Sequence, residues 1–226
     1  WTEGDPDRNT QIYAIPIFRY GPLLLGFMDV FRCTDARDAI MGGVIDVQLI
    51  SSRDGRNWER VGDRKPILEL GKRGAWDGGF IRSTKSLLED GDELRLYYYG
   101  MDHPHGGPKR GDWRRAIGMA SWRKDGFVGL VADSDGEVIT VPTPAGRELH
   151  VNADASGGSI TAEVLDESGA VVQGFESYRC VPLAQDSLDH VFRWETDGGP
   201  DQVPGRERRV RLMLRGAEVF SIWFSA

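Results

Sequence analysis

The chain has 226 residues, with 28 basic and 35 acidic side chains, and therefore a formal net charge of −7. This length allows one large domain or two small ones. The acidic balance argues against the basic surface that binds a nucleic-acid backbone or an anionic membrane, so we expect neither partner. No apolar run approaches the ~20 residues of a membrane-spanning helix.

The first residues and the number of cysteines give further information about the class of protein. The sequence starts at Trp1 without a methionine, which indicates a mature or truncated chain. Its first residues have no basic region followed by an apolar one, so we expect neither a signal peptide nor an anchor there. Two cysteines, Cys33 and Cys180, are too few for a disulfide scaffold, and we expect two buried free thiols.

Short apolar runs separated by glycine, proline and Asp-Gly turns are typical of an all-β chain. The first runs predict a hairpin, a polar connection, a third strand, a turn at Asp54-Gly55 and a fourth strand. The four strands of this antiparallel unit are expected at residues 12–18, 23–31, 44–50 and 58–61.

The same order of strands and turns recurs in the next segment, with Asp125-Gly126 in the place of Asp54-Gly55. A repeated four-stranded antiparallel unit is typical of a propeller blade, and propellers need about 4 to 8 blades to close a ring. Residues 1–132 therefore predict a partial β-propeller of about two four-stranded blades. The strands of the second blade are expected at residues 83–88, 93–99, 116–122 and 127–130.

The remaining residues, 133–226, contain short strands at regular spacing and no long helical period. This pattern predicts a β-sandwich that follows the blades. The fold class expected from the sequence is thus all-β, with a partial β-propeller in residues 1–132 and a β-sandwich in residues 133–226.

Several segments, taken together and in order, carry a family resemblance. They lie at residues 45–49, 52–58, 74–79, 97–100, 116–120 and 123–128, and in the tail at 149–155, 162–166, 174–175 and 210–212. With these segments the chain resembles the C-terminal part, with its β-sandwich, of bacterial glycoside-hydrolase-like five-bladed β-propeller proteins, and is similar to the β-fructosidase/levanase and arabinanase type. The resemblance implies a carbohydrate partner, an axial pocket lined by carboxylates, and a general acid paired with a nucleophile or base.

The chain also departs from that family. The Trp-Met-Asn-Asp-Pro, Arg-Asp-Pro and Glu-Cys-Pro type motifs are absent, and the first visible blade opens with an amide at Gln11. Two hypotheses stay open: a glycoside-hydrolase-like protein that hydrolyses or recognises a carbohydrate, or a non-catalytic carbohydrate-binding or self-associating β module. The blades are completed either by missing N-terminal blades or by a homo-oligomer. The usual location of such proteins favours a secreted or periplasmic chain over a cytoplasmic one.

Propeller geometry selects the candidate site residues, because the first strand of a blade and the loop between its second and third strands meet at one mouth. We expect Asp77 and Asp46 to be the catalytic carboxylates. The expected substrate-binding residues are Gln11, Tyr13, Trp76, Asp102, His103 and His105.

Each carboxylate has an alternative role. Asp77 follows Trp76, whose indole offers a stacking surface for a sugar, and precedes two glycines that allow close approach of a ligand. The alternative is a turn aspartate at the strand entry. Asp46 lies in an apolar strand, where a carboxylate must be paired, with Arg32 or Arg115, or must face the pocket.

The loop residues His103 and His105 contact substrate or simply make the loop polar; because no third ligand has suitable spacing, we expect no metal site. No P-loop or dinucleotide motif is present, so we expect no cofactor. The triplet Tyr97, Tyr98 and Tyr99 alternates along a strand, so its two faces must differ. The basic run at residues 109–115 is expected to be a solvated loop.

Overall fold

The computed structural model describes residues 10–33, 42–106, 111–195, 203 and 207–225. These residues form sixteen β-strands and two short 3₁₀ turns but no α-helix, which confirms the all-β prediction. Contacts divide the chain into two compact units, Trp1–Arg123 (unit 1) and Lys124–Ala226 (unit 2). In the described ranges no helix has the length and apolar character that crossing a membrane requires.

The first sheet of unit 1 is antiparallel and has the strand order β1-β3-β4-β5. Strand β2 also pairs with β3, beyond the end of β1, and β6 pairs with β4. The strands are β1 (Thr10–Ala14), β2 (Ile17–Tyr20), β3 (Leu23–Cys33), β4 (Gly43–Ser52), β5 (Glu59–Arg60) and β6 (Pro66–Leu68).

The strand expected at residues 12–18 is divided into β1 and β2. Pro16 lies at the break, because it has no N–H to donate to a ladder. Its carbonyl still accepts a hydrogen bond of 3.1 Å from the backbone N–H of Phe27. A register shift between Ile12 and Ala14 makes Tyr13 the extra residue of a bulge, which changes the direction of its side chain relative to a regular strand.

The second sheet of unit 1 has the order β10-β9-β7, with β8 also paired to β9. It consists of β7 (Phe80–Arg82), β8 (Leu87–Asp90), β9 (Glu93–Met101) and β10 (Arg115–Arg123). Because β7 and β8 share one side of β9, the sheet has three strand positions. The fourth blade strand expected at residues 127–130 was wrong, since Leu130 begins β11 of unit 2.

Contacts within unit 2 explain why the chain after Arg123 does not add a fourth strand to the second sheet. Asp125 adopts a left-handed conformation (φ 54°) and turns the backbone. The carbonyl of Lys124 then accepts a hydrogen bond of 2.7 Å from the Asn152 side chain of unit 2. Gly129 lies so close to Glu218 that an added Cβ would be 2.2 Å from its Oε1. Residues 124–129 are thus held by unit 2.

A buried carboxylate joins the two sheets of unit 1. Asp29, on β3, is 0% exposed. Its Oδ2 accepts a hydrogen bond of 2.7 Å from Arg82 Nε, and its Oδ1 accepts bonds from the backbone N–H (3.1 Å) and hydroxyl (2.6 Å) of Ser83. These bonds fix the end of β7 against the centre of β3.

Unit 2 has one sheet, with the order β11-β16-β13-β15, in which β12 and β14 also pair with β16. The eighteen-residue strand β16 pairs with β14 through its first half and with β13 through its second, and Gly216 (φ 51°) lies between the halves. The strands are β11 (Leu130–Ile139), β12 (Thr143–Pro144), β13 (Leu149–Asp154), β14 (Ser159–Leu165), β15 (Asp186–Val191) and β16 (Glu207–Phe224).

The sequence-based boundary after residue 132 falls inside β11, whereas the contacts divide the chain after Arg123. The assignment of the two units as propeller blades and a β-sandwich stays a prediction. The core of unit 2 is apolar and includes Leu149, Val151, Ile160, Leu212 and Phe192. Cys33 and Cys180 are both buried and form no disulfide, as expected. Burial raises the pKa of the Cys180 thiol to about 11.

Candidate functional site

Trp76 and Asp77 lie in the loop between β6 and β7, which is shaped by successive tight turns. The backbone N–H of Ala75 donates to the Lys72 carbonyl (2.8 Å), and that of Gly78 donates to the Ala75 carbonyl (3.1 Å). These turns place the indole and the carboxylate over strands β9 and β10.

Two glycines of those strands make room for the loop. A Cβ on Gly100 would be 2.6 Å from Cζ3 of Trp76 and 2.7 Å from Cβ of Asp77, and a Cβ on Gly118 would be 2.7 Å from Cη2 of Trp76. The indole also stacks on Tyr98, with ring centroids 5.7 Å apart and an interplanar angle of 22°. One part of the Trp76 surface therefore rests on the sheet, and the side chain is partly exposed.

Tyr98 fixes the carboxylate of Asp77. Its hydroxyl donates a hydrogen bond of 2.9 Å to Asp77 Oδ2. Burial, together with this bond and the negative charge of Asp77, raises the pKa of Tyr98 to about 12. Tyr98 therefore remains a protonated donor at neutral pH. The side chains of the tyrosine triplet on β9 alternate between a buried and an exposed face, since Tyr98 is 8% and Tyr97 47% exposed.

Asp102 and His103 form a second polar pair at the end of β9. Oδ1 of Asp102 contacts Nδ1 of His103, and Arg114 Nε donates a bond of 3.1 Å to Oδ2. Burial opposes ionisation of Asp102, but the hydrogen bonds from His103 and Arg114 outweigh it and lower the pKa of the carboxyl. His103 is thus oriented by an anionic partner.

Arg114 connects this pair to the loop between β6 and β7 that contains Trp76, which we call the tryptophan loop. Besides Asp102, its guanidinium donates a hydrogen bond of 2.7 Å through Nη2 to the carbonyl of Gly74, two residues before Trp76. We call Trp76, Asp77, Tyr98, Asp102, His103 and Arg114 the Arg114 cluster.

The glycines after Asp77 have a different role from the one expected. A Cβ on Gly79 would be 2.1 Å from the carbonyl carbon of His103, and one on Gly78 would be 2.5 Å from the Lys72 oxygen. The close approach that these glycines allow is to the chain's own backbone. This close approach holds the tryptophan loop against the loop that follows β9 and contains His103.

Tyr13 and His105 meet at a different place. The Tyr13 hydroxyl lies 3.2 Å from Nε2 of His105, and the Arg82 guanidinium lies 4.5 Å from the centre of the Tyr13 ring. The His105 ring also packs on Phe31 (5.0 Å) and Phe80 (6.1 Å), and its backbone pairs with Gly43. This contact joins the first and second sheets of unit 1.

Asp46 pairs with Arg32, one of the two partners that the sequence left open. Asp46 is 6% exposed, and its Oδ2 is 2.6 Å from Arg32 Nε. Gln11 is exposed on β1, opposite Phe31. The catalytic roles of Asp77 and Asp46 and the substrate-binding roles of the other six residues stay predictions. No three or more His, Cys, Asp or Glu side chains in the described ranges form a metal-binding group.

Comparison with known proteins gives a coarse assignment. No protein-family model matches the chain. The A type blood N-acetyl-alpha-D-galactosamine deacetylase of Flavonifractor plautii is 31% identical over 195 residues, which are 82% of this chain and 23% of that enzyme. A solved structure described as a complex of BT0996 and RGII is 17% identical, with a TM-score of 0.39 over 51% of this chain and 34% of the other. The chain is similar to part of a carbohydrate-active enzyme.

The chain spans less than a quarter of the length of the curated relative that it matches. The relative is a deacetylase, whereas the resemblance drawn from the sequence was to glycoside hydrolases. The two share carbohydrate as the class of partner.

Sequence reasoning missed three residues that organise these contacts. Arg114 belongs to the basic run expected to be a solvated loop, yet it is the link between two loops. Arg82 carries no pattern that marks it. Asp29 could have been found, because it is a carboxylate in an apolar strand, the same signal that selected Asp46.

Proposed function

We propose that this chain is part of a carbohydrate-active enzyme and that the Arg114 cluster contacts a sugar. The observation that carries the proposal is the bridge made by Arg114, from the Asp102 carboxylate to the Gly74 carbonyl. Through this bridge an indole, two carboxylates and an imidazole are held in two adjoining loops.

The chemistry of these groups suits a sugar. Ligand sites combine an apolar surface with a few fixed polar groups, and a tryptophan supplies such a surface to the apolar face of a sugar ring. Asp77 is held by Tyr98, so it accepts hydrogen bonds from sugar hydroxyls without first being ordered. Bonds to an ionised acceptor are the stronger kind. The match to an enzyme named for an N-acetylated sugar supports the same ligand class.

Hydrolysis is the second candidate function, and the Asp102–His103 pair favours it. A carboxylate that holds Nδ1 directs the other ring nitrogen away from it, and no hydrogen bond from the described residues reaches Nε2 of His103. There the imidazole accepts a proton from a water as the water oxygen bonds to an acyl carbon. The bond to the sugar nitrogen or oxygen then breaks, and the leaving group takes the proton.

Hydrolysis of a glycosidic bond makes a different demand, since it uses two carboxyl groups about 5 to 9.5 Å apart. Asp77 is available as one of them. Both candidates for the other are already bound to a cation or a ring nitrogen: Asp102 to Arg114 and His103, and Asp46 to Arg32 at 2.6 Å. The arrangement therefore favours removal of an acyl group over cleavage of the glycosidic bond.

Binding is tested by titrating the full chain with N-acetylgalactosamine, galactose, fructose and arabinose and their oligomers in a calorimeter. We expect Asp77→Asn to weaken binding at least 10-fold, because a neutral amide is a poorer acceptor. Asp133→Asn, an exposed aspartate in unit 2, is the matched control and leaves the affinity unchanged. Equal sugar affinities of Asp77→Asn and the native chain would show that the Arg114 cluster is not the sugar site.

Hydrolysis is tested separately with aryl glycosides that do or do not carry an acetyl group, by measuring acetate and free aryl alcohol. Acetate release that is lost in His103→Ala supports acyl hydrolysis. Release of the aryl alcohol that is lost in Asp77→Asn supports glycoside hydrolysis. Binding without either product leaves sugar recognition as the function of the site.

A further inference from the structure

Unit 2 contains a buried histidine whose surroundings differ from those of the core. His150 lies on β13 between the core residues Leu149 and Val151, so its side chain points to the opposite face of the sheet. It is 9% exposed. Its ring stacks on Trp223 of β16, with centroids 5.2 Å apart and an interplanar angle of 18°.

One ring nitrogen is paired and the other is not. Nδ1 lies 2.6 Å from Oδ1 of Asp189, which fixes the orientation of the ring. Nε2 is buried and has no hydrogen-bond partner among the described residues. Buried polar atoms are nearly always paired, so an unpaired nitrogen in a fixed ring needs an explanation.

A carboxylate close to Nε2 indicates what would pair with it. Oε2 of Glu148 is 3.9 Å from Nε2, which is too far for a direct hydrogen bond. An oxygen placed about 2.8 Å from both atoms would bond to each, with the two bonds at roughly a right angle. Such an oxygen must be able to donate to a carboxylate and to bond to an imidazole as well.

Glu148 also takes part in an ion pair at the protein surface. The other oxygen of Glu148, Oε1, pairs with Arg193 Nη2 at 2.7 Å, and the two side chains are 30% and 61% exposed. Exposed ion pairs contribute little to stability. A ligand that separates Glu148 from Arg193 therefore does so at small cost.

The charges around His150 select a neutral ligand. Glu148 and Asp189 disfavour an anion, while Arg193 disfavours a metal cation. A hydroxyl group both donates and accepts, and an indole suits the apolar face of a sugar ring. We propose that Glu148, His150 and Trp223 form a second binding site for a neutral sugar, in which one hydroxyl bridges His150 Nε2 and Glu148 Oε2.

This site lies in unit 2 and is independent of the Arg114 cluster. The test is a titration of the full ¹⁵N-labelled chain with galactose, N-acetylgalactosamine, glucose and arabinose, followed through the side-chain nitrogens of His150. We expect a shift of Nε2 that saturates at millimolar sugar. Glu148→Gln should weaken this binding at least 10-fold, because it removes the charged acceptor but keeps the shape.

Two controls separate the outcomes. Glu167→Gln changes an exposed glutamate of unit 2, and Asp77→Asn changes the Arg114 cluster; both should leave the His150 titration unchanged. If Asp77→Asn abolishes every sugar response, including that of His150, the second site does not exist, although the proposed function stands. If sugars bind while His150 Nε2 does not shift, or if a bound water alone pairs with Nε2, the proposal is overturned.

Discussion

Unit 1 and unit 2 differ in what holds their strands together. In unit 1 the two sheets are connected through polar groups, Asp29 with Arg82 and Ser83 and Tyr13 with His105, in addition to apolar contacts such as that of Phe80 with the cluster around Phe31. In unit 2 one sheet packs on an apolar core. Buried charges stabilise a fold only while every partner is present, whereas apolar burial is less dependent on any single group. Substitutions should therefore have sharper consequences in unit 1.

The largest effect is expected for Asp29→Ala. It removes the partner of Arg82 and of two donors of Ser83, and truncating one member of a buried ion pair costs about 3 to 5 kcal/mol. Urea unfolding followed by hydrogen exchange should show the loss in unit 1, with protection of β13 and β14 in unit 2 retained. Loss of protection in both units together would show that the two unfold as one.

Leu212→Ala provides the matching test in unit 2. Leu212 is 1% exposed in the apolar core, and such truncations cost about 2 to 5 kcal/mol. We expect the destabilisation to appear in β14 and β16 by hydrogen exchange, with unit 1 unchanged. A loss below about 1 kcal/mol would contradict the view that apolar packing at this position stabilises unit 2.

Gly118→Ala tests the position of the indole. The added methyl group would lie 2.6 Å from the Tyr98 ring and 2.7 Å from Trp76, so the rings must move at a cost of about 1 to 3 kcal/mol. Sugar binding at the Arg114 cluster should weaken with it. Met119→Ala, a 51% exposed neighbour on β10, is the control and should change stability by less than about 0.5 kcal/mol.

Tyr98→Phe tests the effect of pH. Because the pKa of Tyr98 is raised to about 12, its contribution is complete below pH 10 and is lost as the pH rises through 12. Thermal unfolding should show the native chain losing more stability than Tyr98→Phe between pH 10 and 12. At pH 8 the variant should be less stable by about 0.5 to 1.5 kcal/mol, for the lost hydrogen bond to Asp77. Parallel pH profiles for the two chains would show that Tyr98 does not titrate as described.

The smallest effect is expected for the thiol of Cys180. Burial raises its pKa to about 11, so the reactive thiolate is scarce and enclosed in the folded chain. Ellman's reagent at pH 8 should label Cys180 only after urea unfolding. Rapid labelling of Cys180 without denaturant would show that the core of unit 2 opens readily.

The sequence predicted the strands well where apolar and polar residues alternate or where apolar runs end at turns. Strands β3, β4, β9 and β10 lie at the expected positions, because local side-chain pattern is enough to define them. It failed at residues 127–130, where apolar Phe127 and Val128 suggested a strand although the segment is held by unit 2.

The candidate site was harder to predict than the strands. Neighbouring residues such as Trp76 and Asp77 could be grouped from the sequence. The bond from Arg82 to Asp29 joins residues 53 positions apart, and the bond from Arg114 to Gly74 joins residues 40 apart. Such pairs depend on how two sheets or two loops pack, which no local pattern contains.

The long strand β16 also decides when unit 2 can fold. It is the partner of β11, β12, β13 and β14, all of which precede it in the chain. During synthesis these four strands leave the ribosome before the strand that joins them exists. Apart from the pairing of β13 with β15, sheet formation must wait for residues 207–224, and until then the apolar faces of β13 and β14 are exposed to aggregation or to chaperones.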